Sequence, residues 1–156
     1  MLSFAGTYDF AAPRAEVWAA LNDPAVLQAT IPGCKSLERE SEADFHAVLG
    51  LKFGLLRFST TGALKVEVLE AARSYRLHGH SAPTFVGSGK GTAEVTLCDL
   101  DRLGEEQGTH LIYSVEAELS GRLAKLGANL VSGQMQSLGT RFFKRFEDAM
   151  DAQKLG

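Results

Sequence analysis

The sequence predicts an α+β protein in which one curved antiparallel sheet closes around a single long C-terminal helix. Three observations carry this. The chain opens on a strand-like alternation, two proline-initiated helical stretches follow it, and six more alternating segments then run in succession with short joints. From Arg122 to about Gln153 the period changes to helical. A chain of 156 residues with 45% apolar and 22% charged residues has the size of one compact unit, and no repeat or low-complexity tract divides it.

From Leu2 to Ala11 the residues Leu2, Phe4, Gly6, Tyr8 and Phe10 alternate with Ser3, Ala5, Thr7 and Asp9, as in a half-buried strand. Pro13 suits a first helical turn, where its missing N–H would be unpaired anyway, and Val17, Trp18 and Leu21 recur at helical spacing. Asp23-Pro24 repeats the signal as N-cap plus N1 proline, and Ile31-Pro32-Gly33 ends the second short helix. Six strands are expected at about 34–41, 43–53, 56–70, 74–81, 85–99 and 109–120. Their joints are short and carry Gly, Ser, Asp or charged residues, which favours hairpins over the long crossovers of parallel strands. In the last segment Leu123, Leu130, Val131, Leu138, Phe142, Phe146 and Ala149 share one stripe. A helix of roughly thirty residues would reach about 45 Å, enough to lie across a seven-stranded sheet.

Assigning the more apolar set of each strand to the inside puts Gly6, Gly62, Gly79, Gly87, Gly89 and Gly91 on the inner face, where a filled core would carry Val, Ile or Leu. Two readings fit: the glycines leave room for a hydrophobic ligand under the helix, or they let the sheet bend. They are compatible, because a strongly curved sheet is itself what creates room beneath a helix. The inner polar groups are hydroxyls, chiefly Tyr8, Thr60, Tyr75 and Tyr113, which either bond a ligand carbonyl or are satisfied by backbone. In the long helix Gly127 lies within the stripe and Gln134 at its edge, as a donor to a ligand or to solvent, whereas Gly133 and Gly139 read as points of flexibility. The candidate ligand-binding set is Tyr8, Trp18, Thr60, Gly62, Tyr75, Phe85, Gly89, Tyr113, Gly127, Leu130 and Gln134. If the strands alternate in direction, the joints at 54–56, 82–86 and 120–121 gather at one end. Leu55, Leu56, Phe85 and Val86 would then form the cavity mouth, as a gate or contact surface, or fold inward as a plug.

Catalysis has no visible constellation. No inward position carries a carboxylate, no Ser/His/Asp or Cys/His order is evident, and the glycines of 87–91 do not open a helix as a phosphate loop must. His78 and His80 have the spacing of a metal pair on one strand face, but that face is the outer one and no third ligand accompanies them; His46 and His110 are outward too. No catalytic residue, metal or tightly bound cofactor is therefore expected. With 16 Lys and Arg against 19 Asp and Glu, a net charge of −3 offers no field for a polyphosphate backbone, so nucleic acid is not an expected partner. Cys34 and Cys98 lack any ligand or CxxC spacing and read as free thiols of a reducing compartment. No secretory signal or membrane-length apolar run is present, which leads us to expect a cytoplasmic protein.

The order of elements, with Ala12-Pro13-Arg14 leading into Val17-Trp18-Ala19-Ala20-Leu21-Asn22-Asp23-Pro24, resembles the START-like, helix-grip superfamily (SRPBCC) over nearly the whole chain. Within it, Ile31-Pro32-Gly33-Cys34-Lys35-Ser36-Leu37, Gly87-Ser88-Gly89-Lys90-Gly91, Gly108-Thr109-His110-Leu111-Ile112-Tyr113 and Gly121-Arg122-Leu123-Ala124-Lys125-Leu126-Gly127 are similar to the carbon monoxide dehydrogenase CoxG family. The resemblance implies one START-like domain over residues 1–156 with an internal hydrophobic pocket, in a noncatalytic accessory protein of a molybdenum hydroxylase, linked to membrane recruitment. It also implies a carried quinone, menaquinone or ubiquinone, whose flat ring, carbonyls and isoprenoid tail suit a glycine-lined, tyrosine-dotted interior. Family members often continue past the long helix into a tail that contacts the membrane. This sequence stops at Gly156, so any membrane contact is expected to be transient, through the mouth or a partner enzyme at the inner face of the cell membrane. Two other functions fit the superfamily: a cyclase or dehydratase using cavity Tyr or His groups, and an assembly factor with a filled core.

Overall fold

The computed structural model describes residues 2–53, 55–84, 87–101 and 107–155. Strand β1 spans Leu2–Phe10, helix α1 Arg14–Leu21 and helix α2 Pro24–Thr30. Strands β2 (Cys34–Arg39), β3 (Asp44–Phe53), β4 (Leu56–Glu70), β5 (Ser74–Ser81), β6 (Ser88–Leu100) and β7 (Gly108–Ser120) follow, and helix α3 covers Ala128–Leu155. All neighbours pair antiparallel in one seven-stranded sheet of order β1-β7-β6-β5-β4-β3-β2, a meander whose first strand returns beside the last. The long helix lies across the inner face, and the two short helices close the end where β1 leads into α1. This is the helix-grip architecture.

Local chemistry explains the short helices. The Asp23 carboxylate accepts a hydrogen bond from the Ala25 N–H at 3.0 Å, which satisfies an orphan donor of α2, and Pro24 opens that helix. Pro13 stands one residue outside α1, with φ −64° and ψ 156°, so it caps the helix and does not join its first turn. The Arg14 guanidinium ties α1 down, donating to the Ala72 carbonyl at 3.0 Å and to Asp99 at 3.1 Å.

The C-terminal segment departs from expectation. It is not one helix from Arg122: a single 3-10 turn at Ala124–Leu126 comes first, and Gly127 at φ +92° separates it from α3. Counting helical phase through that break misplaces the apolar stripe. Leu130, expected inward, is 39% exposed, and Phe143 and Met150, outside the expected stripe, are buried, while Val131 and Phe146 are buried as expected.

Strand parity holds on both faces. Along β1 the residues Leu2 and Phe10 are buried, Phe4, Gly6 and Tyr8 half-buried, and Ser3, Ala5, Thr7 and Asp9 exposed. On the outside, opposite charges meet across strands, as with Arg76 Nη2 and Glu94 Oε1 at 2.6 Å and Lys90 Nζ and Glu118 Oε2 at 3.4 Å. The outer histidines join this surface: His78 pairs with Glu67 at 3.1 Å, His46 with Glu40 at 3.6 Å, and His110 with Asp9. Hydrogen bonding from His78, helped by Arg76, holds the Glu67 carboxyl below its usual range.

The inner glycines divide into two kinds. At Gly6 a Cβ would lie 2.5 Å from Tyr113 Oη, because the ring of its cross-strand partner covers that position. At Gly91 it would lie 2.5 Å from the Glu116 carbonyl, where β6 and β7 approach closely. These positions hold no spare volume. At Gly62 and Gly79 the nearest atoms are 3.7 and 3.5 Å away, ordinary contact distances, and the space beyond them is open.

Candidate functional site: a two-lobed apolar cavity under the long helix

Between sheet and helix lie two contiguous lobes of about 410 and about 360 Å³. The deep lobe runs toward the α1–α2 corner and is walled by Leu21, Asn22, Leu27, Ile31 and Pro32, by the inner side chains of β1 and β3–β7, and by Leu138, Gly139, Phe142 and Phe143 of α3. The outer lobe lies toward the start of α3, over Thr60, Gly62, Gly79, Ser81, Gly89 and Gly91, with Leu123 and Val131 as its roof. Phe4, Leu49, Leu51, Leu64, Leu77, Ala93, Val115 and Met135 line both, so the lobes are parts of one hollow. Its size is that of a small-molecule site and its lining is mostly hydrocarbon.

The polar groups inside are few. No Asp, Glu, His, Lys or Arg is among the described residues of the deep lobe, whose polar side chains are Asn22, Tyr75 and Tyr113. Burial pushes the Tyr75 hydroxyl far above the usual tyrosine range, so it is a neutral donor at any ordinary pH. Neither Tyr75 nor Tyr113 hydrogen-bonds a described residue through its hydroxyl. Tyr113 Oη reaches across to α3, where a Cβ on Gly139 would lie 3.6 Å from it. Two phenolic donors in a greasy hollow can orient a ligand carbonyl. They form no acid–base pair, because nothing beside them titrates near neutrality. Asn22 is committed elsewhere, donating to the Trp18 carbonyl at 2.9 Å.

Of the residues singled out in the sequence, the structure places Tyr75 and Tyr113 on the deep lobe and Thr60, Gly62 and Gly89 on the outer one. Thr60 is buried, with its hydroxyl 3.5 Å from the Ala82 carbonyl. Five lie elsewhere. Tyr8 stacks on Phe143 (ring centroids 5.2 Å apart, 24° between planes), with burial and the nearby Glu147 carboxylate raising its pKa. Trp18 sits behind the wall, edge-on to Tyr75 at 5.4 Å. Gly127 is the break before α3, Leu130 faces outward, and Gln134 is half-buried outside both linings. Among the mouth residues Leu55 is fully exposed. Phe85 and Val86, and the side chain of Leu56, lie outside the described residues.

The cavity also uses residues the sequence reading passed over. Met135, Gly139 and Phe143 face it because they flank Val131, Leu138, Phe142 and Phe146 on one face of α3; leaving Leu123 and Gly127, which precede the helix, out of the phase count moves the stripe toward them. Leu27, Ile31 and Pro32 reach it because α2 packs its end against the sheet edge, which no periodicity in the chain announces.

Among the described residues no group of three or more His, Cys, Asp or Glu is arranged to hold a metal, and no helix is long and apolar enough to cross a membrane. Comparison of the fold finds a conserved protein from Geobacillus kaustophilus with a TM-score of 0.86 and 25% identity, over 97% of this chain and 96% of that one. A protein from Thermus thermophilus has a TM-score of 0.65 and 20% identity, over 97% and 98% of the two chains. The aromatase/cyclase Zhui from Streptomyces sp. R1128 superposes with a TM-score of 0.64 at 15% identity, over 96% and 93%, a likeness of fold alone. Curated protein sequences give no match. The family model for the CoxG subunit of carbon monoxide dehydrogenase matches residues 6–150. With the cavity and fold already described, that match over most of its length means that this chain belongs to the CoxG family.

Proposed function

We propose that the protein is a noncatalytic carrier that holds a quinone under α3 and passes it between a molybdenum hydroxylase, such as carbon monoxide dehydrogenase, and the membrane. The observation that carries this reading is the continuous apolar hollow whose deep lobe offers two phenol donors, unpartnered among the described residues, and no ionisable group that titrates near neutrality. A quinone presents two carbonyls on a flat ring and a long apolar tail, which matches two donors and two lobes. Family membership supports an accessory role beside a redox enzyme. The reading has one START-like domain over residues 1–156, at work in the cytoplasm and in transient contact with the inner face of the cell membrane.

Trp18 is the only tryptophan and touches Tyr75, so it reports on the deep lobe from outside its wall. Titration with menaquinone or ubiquinone is expected to quench Trp18 fluorescence saturably, and native mass spectrometry of freshly purified protein to recover a lipophilic ligand. Failure of every quinone and lipid to bind would remove the carrier reading.

A further inference from the structure

The deep lobe adjoins a groove at the edge of the sheet. Strand β2 pairs with β3 only as far as Cys34 opposite Leu49, and the Gly50 N–H then donates to the Gly33 carbonyl at 2.8 Å. From Leu51 onward that edge of β3 has no strand beside it among the described residues. A groove of about 620 Å³ occupies the gap, between the ends of β3 and β4 on one side and Leu138 and Arg141 of α3 on the other. Pro32, Leu51 and Leu138 line both this groove and the deep lobe, so the two adjoin across these three side chains.

The rim of this groove is cationic. Lys52, Arg57 and Arg141 line it, all exposed; no acidic side chain does, and none of the three pairs with a carboxylate among the described residues. Lys35 brings a fourth positive charge to the edge by donating from Nζ to Ser59 Oγ at 2.6 Å. Lys52 and Arg57 are direct cross-strand partners, and like charges placed opposite each other destabilise a hairpin. An anion lying between them would reverse the sign of that contribution. The concentration of positive charge is local, in a chain of net charge −3.

We propose that this groove seats an anionic head group, so that the cavity also takes single-tailed amphiphiles. Their tail enters the deep lobe between Leu51 and Leu138, and their carboxylate or phosphate rests on Lys52, Arg57 and Arg141. The proposal rests on the carrier reading, and adds a class of cargo that a neutral quinone does not represent.

The test compares laurate, dodecyl phosphate and 1-dodecanol, which share a tail and differ in head charge, by Trp18 fluorescence on the full chain. Laurate and dodecyl phosphate are expected to bind about three- to tenfold tighter than dodecanol at low salt, with the preference shrinking as salt screens the exposed charges. In the double variant R57E/R141E the preference should vanish while dodecanol affinity stays put. Both positions are on the surface, and circular dichroism checks that the fold is retained. Equal binding of all three probes, or equal weakening of charged and neutral probes in the variant, would overturn the proposal and leave the carrier reading intact. If no probe binds and no quinone does either, the carrier reading falls with it.

Discussion

The two ends of the sheet are built from the same strands and covered by the same helix, yet they are filled differently. Toward α1, Phe10, Val17, Leu97, Leu111 and Phe146 are each 1% exposed or less, and aromatic rings pack edge to face, with Phe10 and Phe146 centroids 5.6 Å apart at 68°. Toward the start of α3 the corresponding inner positions of β4, β5 and β6 are Gly62, Gly79, Gly89 and Gly91, and the outer lobe opens over them. The chain concentrates its tightest packing at one end, and so can leave the rest of the inner face under-filled without losing the fold. Open volume grows from the packed end toward the start of α3, and the deep lobe borders the packed cluster, where Tyr75, Val95 and Leu111 belong to both.

Truncation should expose that gradient most sharply. Phe146→Ala, at a fully buried position with no room to relax, is expected to cost about 3–5 kcal/mol in denaturant unfolding. Met135→Ala, on the wall of both lobes, removes a side chain that already borders open space and should cost less than about 2 kcal/mol. Equal losses at the two sites would mean that the ends are equally packed, and the comparison would collapse.

A second contrast lies within the glycines. Gly91→Ala places a Cβ 2.5 Å from the Glu116 carbonyl, a backbone atom that cannot swing away, so β6 and β7 must separate. We expect a loss of about 1–3 kcal/mol, read by thermal or urea unfolding.

Alkaline titration probes the wall between the two ends. Tyr75 keeps its proton in the fold well above the pH at which an unfolded tyrosine loses it, because burial disfavours the phenolate. Above about pH 10 the unfolded chain therefore binds fewer protons than the folded one, and stability falls as pH rises, by about 1.4 kcal/mol per pH unit for this group. Tyr8, raised by burial and by Glu147, acts in the same direction. Tyr75→Phe should flatten most of this slope. At neutral pH the same variant should change stability little, because the hydroxyl has no described hydrogen-bond partner, and should weaken quinone binding by about three- to tenfold. A steep alkaline slope surviving in Tyr75→Phe would move its origin to Tyr8 or to the surface.

Much of this arrangement is legible in the sequence, for reasons that can be named. Strand parity is a local property, and it set the inner face: β4 and β5 span the residues expected of them, and Tyr75, Tyr113, Thr60, Gly62 and Gly89 line the hollow because alternation alone turns them inward. Helical phase is local too, but only within one uninterrupted helix. Gly127 interrupts it, and with the phase went Leu130 and Gln134 on the wrong side and Phe143, Gly139 and Met135 on the right one. The displacement of Tyr8 is a tertiary effect: Phe143 fills the space beneath β1 and takes the tyrosine as a stacking partner. The edge groove is tertiary as well, since it exists only because β2 is short relative to β3.

The smallest expected effect on stability decides the meaning of the open end. Gly62 faces the outer lobe from the centre of β4, and a Cβ there would meet only the His80 carbonyl at 3.7 Å. Gly62→Val therefore fits the backbone, favours the strand conformation and reduces the freedom of the unfolded chain, for a net change within about 1 kcal/mol in either direction. The two added methyl groups project into the lobe, and cargo affinity should fall severalfold in the same preparation that unfolds normally. A variant that keeps its stability and loses its cargo makes volume the property that glycine supplies at this position. If Gly62→Val instead unfolds as readily as Gly91→Ala, both glycines serve curvature, and the hollow is what bending a sheet around a helix leaves behind.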